Sequence, residues 1–141
     1  MTQRIDRWIE RTPRPIPTID ADADVDAMLA RLREVGARDL WVVDDDGRFV
    51  GHVGYFRVAR VALAEHRPIR TRRAILDRLA GARARDLVDR HIRPARRSDP
   101  VDAAIHQMLD ERLESLPVVD DERRVVGVLH LDDILADGER E

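Results

Sequence analysis

The densest groups of potential ligand atoms in this 141-residue chain are two acidic turns, Asp44-Asp45-Asp46 and Asp120-Asp121-Glu122. Clustered carboxylates can present oxygens to a hard cation such as Mg2+. Acids between short apolar runs are also ordinary turn chemistry, because aspartate accepts hydrogen bonds from its own turn, so a resident metal is not expected. Catalytic groups are sparse. There is no cysteine, which removes disulfides, thiol nucleophiles and Cys-type zinc sites together. The only serines, Ser98 and Ser115, lie in no nucleophile elbow. The histidines, at 52, 66, 91, 106 and 130, show no paired metal-ligand spacing. All 25 basic residues are arginine, so a Lys-ending phosphate loop cannot form. No enzymatic activity is expected.

The composition, 43% hydrophobic and 38% charged, fits a packed domain with a heavily solvated surface. A net charge of −3 argues against the chain as a whole binding nucleic acid. The charge is uneven, however. Between Arg67 and Arg97 eleven arginines face only Asp77, Asp86 and Asp89, whereas nine acids between Asp20 and Asp46 face only Arg31, Arg33 and Arg38. The basic segment could meet phosphate or an acidic partner, but the solvated face of two helices accounts for it as well. Aromatics make up 4%, too few for a base-stacking array. No apolar run approaches the roughly 18 residues of a spanning helix, and the amino terminus lacks the apolar core of a signal peptide. The reading is a cytoplasmic protein, or a piece of a longer one, with no membrane association.

The elements that must position any site are strongly patterned. Leu116 to Val119 and Val125 to Leu129 are short β-branched runs around a charged break, followed by an acid-led helix start at Asp132-Asp133. Leu40 to Val43 and Phe49 to Val53 repeat that pattern, and Asp46-Gly47 is a hairpin signal. The spacing predicts helices over residues 4–10, 22–36, 55–66, 71–80 and 86–89. Short strands are expected over 16–19 and from Ile92, and Asp99-Pro100 reads as a cap with proline at the first helical position. Gly51 and Gly127 are 127 − 51 = 76 positions apart. At that offset residues 16–59 align with 92–135 without a gap, with 12 identities in 44 positions. That is the signature of a duplicated β-α-β-β-α unit, and two such units should pack face to face about a pseudo-two-fold axis.

The unit resembles the CBS domain, the regulatory repeat named after cystathionine β-synthase, most closely through ESLPVVDDERRVVGVLHLDDIL (114–135) and SDPVDAAIHQML (98–109). The resemblance implies an α/β (α+β) tandem CBS pair, or Bateman module, filling residues 1–141. Its first repeat would be 4–66, its helical connection 67–83 and its second repeat 84–137. It further implies a regulator that binds an adenosine nucleotide (AMP, ADP, ATP or S-adenosylmethionine) in a cleft where the repeats meet, that forms a homodimer, and that acts on a partner protein. Ligand-free scaffolds and Mg2+ sensors also occur among such modules.

Matching the family pattern residue by residue puts the ribose-binding acid at Asp133, which could accept from two hydroxyls. His130 stands at the usual hydroxyl position and Gly127 leads the strand. Leu116, Pro117 and Ala95 would form apolar walls for a base. In the first repeat Gly54 replaces the hydroxyl, Trp41 replaces the proline and Arg57 replaces the acid; an arginine cannot accept from a ribose, so this cleft is expected either to be empty or to use Arg57 to hold a phosphate. One nucleotide per chain, at Asp133, is the expectation.

Overall fold

The computed structural model describes residues 3–58 and 82–139, the last two by backbone only. The helices expected at 71–80 and most of 55–66, and nearly all of the connection at 67–83, lie outside the described residues. The elements are α1 (Ile5–Arg11), β1 (Thr18–Asp20), α2 (Val25–Val35), β2 (Asp39–Val43), β3 (Phe49–Gly54), α3 (Ala84–Leu87), β4 (Ala95–Arg96), α4 (Val101–Glu111), β5 (Ser115–Val119), β6 (Val125–His130) and α5 (Leu131–Glu139). Residues 55–58 are helical as well. The result is a mixed α+β fold with two three-stranded sheets, ordered β1-β2-β3 and β4-β5-β6. In each sheet the first pair is parallel and the second antiparallel, the pattern a duplicated β-α-β-β-α unit requires.

Alternation along the strands sets which side chains enter the helix-covered core. Leu40, Val42 and Val53 are fully buried and pack with Val25, Met28 and Leu32 of α2. At the matching positions Leu116, Val118, Leu129, Val101 and Met108 are fully buried. The turns are tied by their own acids. Asp44 Oδ1 accepts from the amides of Asp46 and Arg48, and Asp120 Oδ1 from those of Glu122 and Arg124, all at 2.9 Å. Asp24 caps α2 by accepting from Ala27 N at 2.8 Å. Asp99 does not cap α4 as its position suggested. Its carboxylate accepts from Arg96 N at 3.1 Å, and Pro100 stands at the cap.

The amide of Val101, which opens α4, is met instead from the far end of the chain. Val101 N donates to Gln3 O at 2.8 Å, while Ile5 N and Asp6 N, at the start of α1, donate to Asp99 O and Arg97 O at 2.9 and 2.8 Å. Two helix starts thus satisfy each other's orphan backbone groups. The same lattice recurs elsewhere: Ala84 N donates to Ala23 O at 2.9 Å and Arg85 N to Ala21 O at 3.0 Å. Lone bridges mark both places, Arg4 with Pro100 and Asp24 with Arg83. Accordingly the chain divides into two compact units, residues 17–92 and residues 1–16 with 93–141. The short helix ahead of each repeat is built into the other repeat's unit.

This relation carries an offset of 83 − 4 = 79, not 76, and pairs Ile9 with Val88. Both side chains sit on a strand glycine. A Cβ at Gly127 would lie 2.9 Å from Ile9 Cδ1, and one at Gly51 would lie 2.4 Å from Val88 Cγ2 and 2.6 Å from Asp89 O. Three more residues in the Thr12-Pro13-Arg14-Pro15 stretch than in its counterpart at His91 account for the change of offset.

Two expectations follow from this geometry. Gly51→Ala must push backbone as well as a methyl, and should cost about 3 kcal/mol in denaturant unfolding; Gly127→Ala meets the end of a flexible side chain and should cost about 1 kcal/mol. Left-handed backbone occurs at Gly36 and Gly47, and at Arg112 and Arg123, their partners at the 76 offset. Arg112→Gly and Arg123→Gly relieve roughly 1–2 kcal/mol of strain each, less the added freedom of the unfolded chain. Each should therefore stabilise by about 0.5–1 kcal/mol in the same measurement.

Candidate ligand-binding site

In the second repeat His130 and Asp133 lie where β6 gives way to α5, whereas Ala95 and Gly127 both pair with Val118, three positions along β5 from the Ser115–His130 end. Ser115 and His130 are partners at this end of the sheet, and Leu131 N donates to Glu114 O at 2.9 Å, fixing the strand-to-helix step. Asp132 and Asp133 fill the first turn of α5, where acids suit the helix dipole. Asp132 Oδ1 accepts from Asp133 N at 3.0 Å.

Arg14 lies across both acids. Its Nε donates to Asp133 Oδ2 at 3.0 Å, and its Nη2 reaches Asp132 Oδ2 at 3.3 Å. One turn along α5, Arg11 Nη2 meets Asp137 Oδ1 at 3.3 Å. The carboxylate of Asp133 keeps 27% of its surface, against 75% for Asp132 and 40% for Arg14. Burial is the main cause that holds the half-buried His130 below its ordinary pKa of 6.5, and the Arg14 charge adds to it; Asp132 and Asp133 pull the other way.

Gly127, Pro117, Leu116 and Ala95 belong to the same sheet. Gly127 is buried, and Ile9 makes the close approach there. Pro117 is buried on β5, opposite Val128. Leu116 is fully buried and Ala95 is 5% exposed, so neither presents much surface. Sequence reasoning missed Arg14, which is 119 residues from Asp133. The available signal was the three-residue surplus around it, visible only once α1 and α3 are matched.

The first repeat is built differently at the same place. His52 Nε2 lies 2.7 Å from Asp39 Oδ1, and the pair fills the space over Gly54. The His52 ring stands 5.1 Å from Trp41, which is buried, and its Nε1 has no hydrogen-bond partner among the described residues. Asp89 adds to the edge of this sheet, exchanging backbone hydrogen bonds with His52 at 2.7 and 2.8 Å. Hydrogen bonds from the His91 amide and ring hold the Asp89 carboxyl below the usual range. Arg57 is exposed, and has no ion-pair partner among the described residues. Of the turn acids, Asp45 approaches Asp20 and Asp22, the three offering oxygens within 4.8 Å of one another, but Arg85 already pairs with Asp22.

The depressed His130 pKa has a sign that can be tested. The folded chain favours the neutral ring, so its stability is full above about pH 6.5 and falls as pH drops through the lower folded value. Unfolding of wild type and His130→Gln at pH 7.5 and 5.5 should show a smaller acid loss in the variant.

A family model described as the CBS domain matches residues 11–64 and 84–138. L-aspartate semialdehyde sulfurtransferase of Methanocaldococcus jannaschii is 28% identical over 120 residues, which cover 84% of this chain. The chain spans only about a fifth (21%) of that protein's length. Among solved structures, the CBS domain pair of protein MJ0100, in complex with 5′-methylthioadenosine and S-adenosyl-L-methionine, superposes with a TM-score of 0.72 at 22% identity, covering 100% of both chains. CBSX2 in complex with AMP gives a TM-score of 0.69 at 22% identity over 92% of this chain and 90% of its own. No helix among the described residues is long and apolar enough to cross a membrane. With both of its repeats matched, the chain belongs to the CBS domain family.

Proposed function

We propose that this chain is a regulatory module that binds an adenosine nucleotide at the β6–α5 junction of its second repeat. The observation that carries the reading is Asp133, a partly exposed carboxylate beside the half-buried His130 at the first turn of α5. A carboxylate there accepts the two ribose hydroxyls, and charge-assisted hydrogen bonds are strong for their number. The adenosine ligands of the two similar solved structures support the ligand class. The first repeat offers Arg57 and Trp41 instead of an acid and a proline, so one ligand binds per chain. Binding shifts a conformational equilibrium, and that shift is read by a partner protein. For the homodimer expected of such a module, exposed Tyr55, Phe56, Leu109 and Leu135 supply apolar surface.

A ligand-free scaffold is the second reading. It is favoured by the Arg14 ion pairs that already engage Asp133 and by the burial of Leu116.

Calorimetry and thermal melting of the purified chain with AMP, ADP, ATP, S-adenosylmethionine and Mg2+ separate these readings. A nucleotide at 100 times its Kd should stabilise the fold by about 2.7 kcal/mol. Asp133→Ala should weaken that binding about tenfold or more, and Arg57→Ala should leave it nearly unchanged. No heat and no melting shift with any nucleotide would leave the scaffold standing; a response to Mg2+ alone would make the module a cation sensor.

A further inference from the structure

Each compact unit carries exposed apolar side chains, and the charges around them are opposite in sign. In the unit of residues 17–92 an apolar groove of about 450 Å³ is lined by Leu29, Leu32, Arg33, Ala37 and Tyr55. Phe56, 70% exposed, stands edge-on to Tyr55 at 6.2 Å, and the Arg38 guanidinium lies 5.1 Å from the centre of its ring. Arg33, Arg38 and Arg57 are exposed and have no ion-pair partner among the described residues.

The offset of 76 gives the matching surface of the other unit. Arg33 becomes Leu109, Tyr55 becomes Leu131 and Phe56 becomes Asp132, while Arg38 and Arg57 become Glu114 and Asp133. Leu109 is 59% exposed, and Leu135, one turn of α5 beyond Leu131, is 62% exposed. Residues 29–38 and 55–58 hold four arginines and one acid, a charge of +3. Their partners, 105–114 and 131–134, hold one arginine and five acids, a charge of −4. Arg14, paired with Asp132 and Asp133, reduces this to −3.

Charge ranks the contacts open to two copies of the chain. In a two-fold contact of like surfaces each patch meets itself. The groove surface would then set arginines against arginines, and the leucine surface acids against acids. Like charges across an interface repel and select against that pairing. The unlike pairing sets +3 against −3 and gives the apolar groove an apolar occupant.

We infer that the groove of the first repeat receives the Leu109–Leu135 surface of a second copy, so that the chain associates first repeat on second rather than like on like. The two leucines leave water against Leu29, Ala37 and Tyr55, and the arginine rim meets the acidic one. The inference rests on the reading of the module as a homodimer and specifies which faces meet in it.

Sedimentation equilibrium of the full chain tests it with two variants. One reverses the groove rim, Arg33→Glu with Arg38→Glu; the other charges the leucine surface, Leu109→Arg with Leu135→Arg. All four side chains are exposed, so both variants should melt close to wild type. Wild type should self-associate, and more weakly as salt is raised. Each variant alone should self-associate about tenfold more weakly or worse. Mixed, the two should form a one-to-one complex tighter than either forms with itself, because the leucine surface of the first and the groove of the second are intact. Wild-type association of the leucine variant, or no gain on mixing, overturns the inference but leaves a homodimer of like faces. Wild type that stays monomeric at every concentration reached overturns the homodimer, and the inference with it.

Discussion

The absence of a side chain at Gly51 and Gly127 is the constraint on which this fold turns. A β-hairpin strand with a full side chain at that position would hold the neighbouring segment away. Here Val88 and Ile9 come down onto the strand backbone. That contact lets α3 and α1 dock, and docking brings their first amides to carbonyls at 21 and 23 and at 97 and 99. Buried backbone groups at helix starts need partners, and these two helices are too short to persist without tertiary support. The seat on glycine and the backbone lattice therefore stand or fall together. Arg14 reaches Asp133 because α1 is anchored five residues before it.

Much of this was legible in the sequence, for local reasons. The hairpins, α2 and α4 follow from runs whose period matches their structure, from Asp24 at a cap and from Asp46-Gly47 at a turn. The duplication announced two sheets of equal topology. The acids of both turns proved to be turn chemistry for Asp44 and Asp120, because each carboxylate is held by two amides of its own turn.

What stayed hidden depends on partners distant in the chain. Asp99 before Pro100 has the local signature of a cap, yet Gln3 supplies the acceptor for Val101 and frees Asp99 for Arg96. Strands expected from Ile16 and from Ile92 begin at Thr18 and at Ala95, because pairing with β2 and β5 sets their extent. The ungapped alignment at 76 ended where the offset changes to 79, so it left out α1 and α3, and with them Arg14 just after α1. For the candidate site, the family pattern located Asp133 and His130; the electrostatic company they keep came only from the fold.

The passage of α1 and α3 into each other's unit means that the sequence repeat and the physical building block differ. The chain crosses from one compact unit to the other twice, near residues 16 and 92. A gene fragment that ends between the repeats encodes neither block: the first half carries α1 away from the sheet that seats it, and the second half does the same with α3. The compact block is therefore a non-contiguous piece of sequence for the unit that holds α1, residues 1–16 with 93–141, and a contiguous one, residues 17–92, for the unit that holds α3.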